Sequence, residues 1–391
     1  MDTIELLCVL LRCELCGGIP GERVRSAICP EQRKALFAIA GQQDILALVG
    51  DALDRSGLLP PEEPVSQAFR ERSVSAVHRV SALEHELRLL CRALEQAEIP
   101  FIPLKGSVMR TLYPENWMRT SDDIDVLVRR EDMESADRVL TEELRYRPYH
   151  HGNHDWSYDS PHGVRVELHY KAMEDGLVCS AKEVLSRIWD CSAVQEGSSC
   201  RTISDDMFYF YHIAHMAKHF RSGGCGMRPF LDLWILNHRL SFDREARETL
   251  LREGGLLPFA EAAEKLSEVW LGAERHDAMS RRMEEYILSA GLFGSMENRV
   301  AVQSRQEGKP TFIKKRIFLP YEQISYEYPI LQKHPWLTPL MQLRRWGRLL
   351  LPGRWRSSVR ELRYTLLPDK EKTESAGSML RELFPMDWER S

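Results

Sequence analysis

Apolar positions recur at helical spacing through most of the first 95 residues. The opening stretch, MDTIELLCVLLRCELC, forms one face of an amphipathic helix, interrupted by Glu5, Arg12 and Glu14. Glu31 to Leu53 repeats the pattern, and a proline-rich break follows at Leu59 to Pro64 (LPPEEP). From Val65 to Glu98 the apolar residues Val80, Leu83, Leu87, Leu90 and Leu94 keep one face of a long helix.

At residue 99 the period changes. IPFIPLKG reads as a short strand ending in Lys105-Gly106, with Ser107 opening a helix. In DIDVLV the acids alternate with apolar residues, so a strand puts Asp123 and Asp125 on one face and Ile124 and Val126 on the other. Arg130 to Leu144 reads as a helix, and VRVELHY (Val164 to Tyr170) as a third strand with Glu167 alternating in the same way. Strands mixed with helices predict an α/β core of about 100 residues. From Ser204 onward helices return, with candidates at Met207 to Phe220, Pro229 to His238, Asp243 to Glu253, Pro258 to Leu271 and His276 to Leu292. The region 293–335 reads as irregular. The expected organisation is a helical region (1–98), an α/β core (99–200), a helical domain (201–335) and a basic helical tail (336–391).

Composition narrows the class. With 391 residues, 43% hydrophobic and 28% charged, the chain is an ordinary globular protein, and its net charge of -5 marks it as no general binder of polyanions. No run reaches the roughly 18 apolar residues of a membrane span. Asp2 and Glu5 stand where a signal peptide carries basic residues, so the chain reads as cytoplasmic. Nine cysteines without framework spacing point to a reducing compartment. Cys13 and Cys16 could form part of a zinc site, but as members of an apolar helical pattern they read better as buried small hydrophobes.

The chemistry sits in the α/β core. Two carboxylates at i and i+2 on one strand face repel each other unless a cation neutralises them, and hard oxygen ligands suit Mg²⁺. Glu167 on a neighbouring strand would complete a three-carboxylate set able to hold two metals for in-line displacement at phosphorus. Gly106 lets the backbone approach a phosphate, the helix opening at Ser107 offers N–H groups, and Lys105 and Arg119 add positive charge. Other reactive residues lie outside this set. His212, His215 and His219 share one helix face, read first as a polar interdomain face and second as a metal site or helper base. Asp232 is either a general base or a partner of Arg228. His150, His151 and His154, in HHGNHD, read as a solvated or substrate-facing loop. The arginines of 344–363, interleaved with Trp346, Trp355 and Tyr364, read as a solvated helical face ahead of a grip on RNA or an anionic membrane.

The ordered set LKGSVMRTLYP, RTSDDIDVLV and VRVELHY resembles the uncharacterised nucleotidyltransferase family of the DNA polymerase beta superfamily. The likeness is specific over residues 99–170. It extends more loosely to YHIAHMAKH, RPFLDLWIL and FLPYEQISYEYPILQKHPWLTP, while the first 95 residues add little. Fifteen residues separate Ser107 from Asp123, more than is usual in the broader superfamily. The resemblance implies a polymerase beta-like fold and matches Gly106-Ser107 to the phosphate motif. Asp123, Asp125 and Glu167 match the metal set, and His169 the histidine that follows it. It implies two Mg²⁺ ions and transfer of a nucleoside monophosphate from an NTP, ATP first. The acceptor would be an unnamed small molecule, peptide or protein, with His169, His215 and Asp232 on the acceptor side. A tRNA-directed toxin-like transferase and an inactive nucleotide- or partner-binding module are the alternatives.

Overall fold

A computed structural model describes residues 1–152, 154–173, 180–194, 197–289, 314–315, 317–328, 330–349 and 370–388. The N-terminal part holds five helices: α1 (Thr3–Cys16), α2 (Glu22–Ala27), α3 (Pro30–Gln42), α4 (Leu46–Arg55) and α5 (Pro64–Gln96). Asp2 caps α1 through a reciprocal bond with Glu5, which satisfies two backbone donors at the helix start. The stretch expected as one helix from Glu31 to Leu53 is two, because the chain turns at Asp44 with a left-handed φ of 54°. Proline at the first position of α5 starts a 33-residue helix without losing a ladder bond.

The central sheet has five strands: β1 (Phe101–Pro103), β2 (Asp123–Val128), β3 (Arg147–His151), β4 (Asp155–Asp159) and β5 (Arg165–His169), in the order β1-β2-β5-β4-β3. The pairs β1-β2, β5-β4 and β4-β3 are antiparallel, and β2-β5 is parallel. The parallel pair encloses a helical stretch that includes α7 (Met133–Arg138); the single turn α6 (Gly106–Met109) lies between β1 and β2. A separate antiparallel pair, β6 (Ser192–Val194) and β7 (Arg201–Ile203), joins the sheet through a bridge between Phe101 and Cys200. The fold is thus mixed α/β, as expected, with four strands, β3, β4, β6 and β7, that the sequence pattern did not reveal. The HHGNHD segment is no free loop: His150 and His151 end β3, and Asp155 begins β4.

Alternation divides the sheet into two faces. Ile124, Val126, Val128, Val166 and Leu168 are buried against Leu83, Leu90 and Leu94 of α5 and against Met133, Ala136, Val139 and Leu140. Burying such side chains stabilises the layer by about 1.5–3 kcal/mol each. The opposite face carries Asp123, Asp125, Glu167 and His169.

The chain divides into two compact units. The first comprises Met1–Lys218, Met227–Arg281 and Leu383–Ser391. It holds the sheets, α1 to α7, α8 (Ala181–Leu185), most of α9 (Asp205–Arg221), and also α10 (Arg228–Arg239), α11 (Arg244–Glu253) and α12 (Leu257–Leu271). The second comprises His219–Gly226 and Arg282–Glu382. Its described core is Ile324, Tyr328, Leu331 and Met341. The region expected to be irregular contains helices at Tyr321–Glu327 and Ile330–Lys333. A helix at Thr338–Leu349 carries Arg344, Arg345 and Arg348, and the remaining arginines of 344–363 lie outside the described residues.

Candidate metal centre

The parallel register sets Asp125 opposite Glu167 and Leu127 opposite His169, so both acids and the imidazole share the polar face. One ligand atom from each of Asp125, Glu167 and His169 lies within 4.8 Å of the other two. Among the described residues this is the one grouping of three or more such side chains that could hold a metal ion. Neither Cys13 with Cys16 nor the histidines of α9 form another, and the eight described cysteines are free thiols. Asp123 lies two residues before Asp125 on the same face, partly exposed.

Two basic side chains already lean on Asp125. Lys105 Nζ donates to its Oδ1 at 2.9 Å, and His169 Nε2 lies 2.7 Å from the same oxygen. His169 Nε2 also lies 3.5 Å from Glu167 Oε2. Burial alone would raise the Asp125 carboxyl, but Lys105 and His169 outweigh it and hold it below the usual carboxylate range. Asp123 moves the other way: burial, and then the charge of Asp125 beside it, push its carboxyl up. Burial would lower His169, yet its bonds to Asp125 and Glu167 leave it raised. A cation between these groups would relieve the crowding that raises Asp123. Carboxylate and imidazole donors fit a divalent ion.

The turn before the site is strained. Lys105, at φ 44°, makes the turn between β1 and α6 that accompanies its ammonium's contact with Asp125. A non-glycine residue in such a region costs roughly 1–3 kcal/mol and persists where surrounding contacts over-determine it. Leu104 N–H bonds Asp125 O at 3.0 Å, tying that turn to β2. At Gly106 a Cβ would stand 3.1 Å from Ser121 Oγ and 3.2 Å from its Cβ, so glycine allows the two segments to approach. Ser107 is buried, and its Oγ has no hydrogen-bond partner among the described residues.

Arg119 points elsewhere. Its Nε reaches both oxygens of Asp232, at 2.7 and 3.0 Å, and Tyr113 OH donates to Asp232 Oδ1 at 2.8 Å. Asp232 is 1% exposed. Its expected alternative partner, Arg228, pairs with Asp44 instead. Glu167 is not taken by Arg165, which binds Asp159 at 2.7 Å. On α9, His212 Nε2 lies 2.9 Å from Pro229 O, and His215 sits half-buried beside Tyr211.

Two residues near the site were not singled out from the sequence. Tyr211 is buried with its hydroxyl unpartnered among the described residues. Burial pushes its phenol up; Lys105 opposes the shift, and Asp125, Asp123 and Glu167 add to it. Its place four residues before His215 was the available signal, obscured because MFYFY reads as core. Arg110 stands three residues after Ser107 and is buried against Ser121, whose Oγ accepts from its Nη2 at 2.7 Å.

Comparison with known families gives one match: a profile described as "Uncharacterised nucleotidyltransferase" covers residues 30–272. The chain belongs to this family. The match begins in the N-terminal helices, so that region contributes more to the family pattern than its own motifs suggested. It stops well before FLPYEQISYEYPILQKHPWLTP. Comparisons with curated proteins and with solved structures give no match. No described helix of this nucleotidyltransferase-family chain is long and apolar enough to cross a membrane.

Proposed function

We propose that the chain is a divalent-metal-dependent nucleotidyltransferase on a polymerase beta-like core. It moves a nucleoside monophosphate from an NTP, ATP first, onto a hydroxyl or other nucleophile of a small molecule, peptide or protein. The observation that carries this reading is the parallel β2-β5 register, which brings Asp125, Glu167 and His169 together on the face that also bears Asp123. Bound metal ions, two Mg²⁺ in this reading, would neutralise the triphosphate and lower the pKa of the attacking hydroxyl.

Asp123 and Asp125 hold the metal side of the site. The acceptor oxygen attacks the α-phosphorus, the bond to the bridging oxygen breaks, and pyrophosphate leaves. Glu167 takes the acceptor proton. Lys105 orients Asp125, and Ser107 offers its hydroxyl to a phosphate. His169 fixes Asp125 from the acceptor side. Arg119 and Asp232 serve as a buried tie that positions the segment before β2, and His215 lies with Tyr211 on the acceptor side.

The test is transfer of label from α-³²P-NTPs, in the presence of Mg²⁺, to candidate acceptors and to the chain itself. Asp125→Asn should lower transfer by at least about a hundredfold, given that even outer-shell changes at metal sites cost 10–100-fold. Chelation should stop transfer, and added Mg²⁺ should restore it. Undiminished transfer by Asp125→Asn would falsify the reading, as would a parent chain that shows no Mg²⁺-dependent NTP binding by calorimetry.

A further inference from the structure

Of the three basic side chains around the Gly106-Ser107 turn, two already have carboxylate partners: Lys105 holds Asp125 and Arg119 holds Asp232. Arg110 has none within ion-pair distance among the described residues. It is 1% exposed, one of the largest fully buried side chains in the molecule, and makes one side-chain bond, to Ser121 Oγ. Its Nε and Nη1 are buried without a hydrogen-bond partner among the described residues. A buried guanidinium left in that state is costly, and its planar fork matches phosphate oxygens. An anion is the missing partner that its chemistry calls for.

The surroundings show where such an anion would sit. Ser107 precedes Arg110 by three residues on one helical turn, so the two side chains share a face. The Ser107 hydroxyl is likewise buried and unpartnered. Ser121, which holds Arg110 Nη2, donates its hydroxyl to Asp123 O at 3.2 Å, so Arg110 is linked through one residue to the start of the metal strand. Gly106 lies between them: a Cβ there would stand 3.6 Å from Arg110 Nη2. Burial lowers the Arg110 guanidinium to about 10, and Arg119 adds to the shift while Glu84 and Asp123 oppose it. It therefore stays charged near neutral pH.

We propose that Arg110, together with Ser107, forms the seat for the polyphosphate of the nucleotide, and that Arg110 rather than Arg119 is the arginine that binds it. The inference takes its ligand class from the nucleotidyl-transfer reading. A polyphosphate in this seat lets Nε and Nη1 exchange an unpartnered state for two charge-assisted bonds.

Sodium tripolyphosphate and Mg²⁺-ATP are titrated by calorimetry into the full chain, Arg110→Met and Arg110→Lys. The parent should bind both. Arg110→Met should bind tripolyphosphate about ten- to a hundredfold more weakly, the range for hydrogen bonds to charged groups. Arg110→Lys, which keeps the charge but loses the fork, should fall between. The unliganded Arg110→Met should melt no lower than the parent, because an unpaired buried cation has gone. Equal affinity in parent and Arg110→Met overturns the inference, as does a parent without tripolyphosphate affinity. If Arg110→Met does not fold, Arg110→Lys decides: weaker binding at an unchanged melting temperature supports the seat, and parental affinity overturns it. A parent that binds tripolyphosphate through Arg110 yet transfers no nucleotide leaves the seat standing and removes the proposed function. Undiminished transfer and binding by Arg110→Met does the reverse.

Discussion

At the scale of single residues, Asp125 is the pivot of the polar face. It is 2% exposed, yet stays charged because Lys105 and His169 reach the same oxygen. A buried carboxylate so held is costly to leave without its partners. Burial, and then Asp125 itself, push the carboxyl of its neighbour Asp123 up by more than Lys105 pulls it down. Tyr211 supplies a second test at this scale. Its hydroxyl is buried and unpartnered, so Tyr211→Phe should leave the melting temperature unchanged or higher. If the hydroxyl meets substrate, the same variant should lose about tenfold in kcat/KM for nucleotide transfer, the value of one hydrogen bond. A melting temperature several degrees lower would show that the hydroxyl has a structural partner in solution.

At the scale of elements, the alternation in DIDVLV and RVELH is what makes one sheet face apolar and the other acidic, and it was legible from the sequence. Strands β3 and β4 were not. The outer strand β3 exposes Arg147, Pro148 and Tyr149, and an edge strand that buries no face leaves no period-2 signal. Helix pairing also places charge where periodicity gives no warning. Glu14, on the buried side of α1, meets Asp51 and Arg55 of α4 and is 3% exposed. Burial, then a hydrogen bond and repulsion from Asp51, push its carboxyl from 4.5 up to about 8, against the pull of Arg55. The folded state therefore holds this proton more tightly than the unfolded chain. The stability it contributes is fully present below about pH 4.5 and is lost as pH rises through about 8. Glu14→Gln should remove that dependence. Thermal melts at pH 5 and pH 8 should show the variant gaining on the parent at the higher pH. A constant difference across that range would contradict the assignment.

At the scale of the whole molecule, polar ties, the Arg119–Asp232 one buried, hold the first compact unit together across long stretches of sequence. Arg119, just before β2, reaches Asp232 on α10, and Tyr113 reaches the same carboxylate. Arg228 pairs with Asp44 between α3 and α4, and Gln43 Oε1 accepts from Met227 N–H at 2.9 Å. These bonds connect the N-terminal helices, the approach to β2 and the helix after α9. Asp232→Ala should cost roughly 3–5 kcal/mol, because it leaves Arg119 and Tyr113 buried without their acceptor. Urea unfolding checks it; a loss below about 1 kcal/mol would mean that Arg119 finds another partner or reaches water. The span of the family match, residues 30–272, agrees with this linkage, since it includes both ends of each tie.

The sequence by itself determined the local periods: the helical repeat of α5, the start of β2, the one-sided placement of Asp123, Asp125 and Glu167, and the order of motifs that marks the family. Those features follow from side-chain direction along one element, which spacing encodes. Only the tertiary structure decided which charges meet. Lys105 faces Asp125, Arg119 is taken by Asp232 far along the chain, and Arg110 keeps two buried nitrogens unpartnered. The reason is physical: an ion pair depends on distance between atoms of separate elements. That distance is set by the parallel register of β2 and β5 and by how helices dock, and no period within a single element carries it.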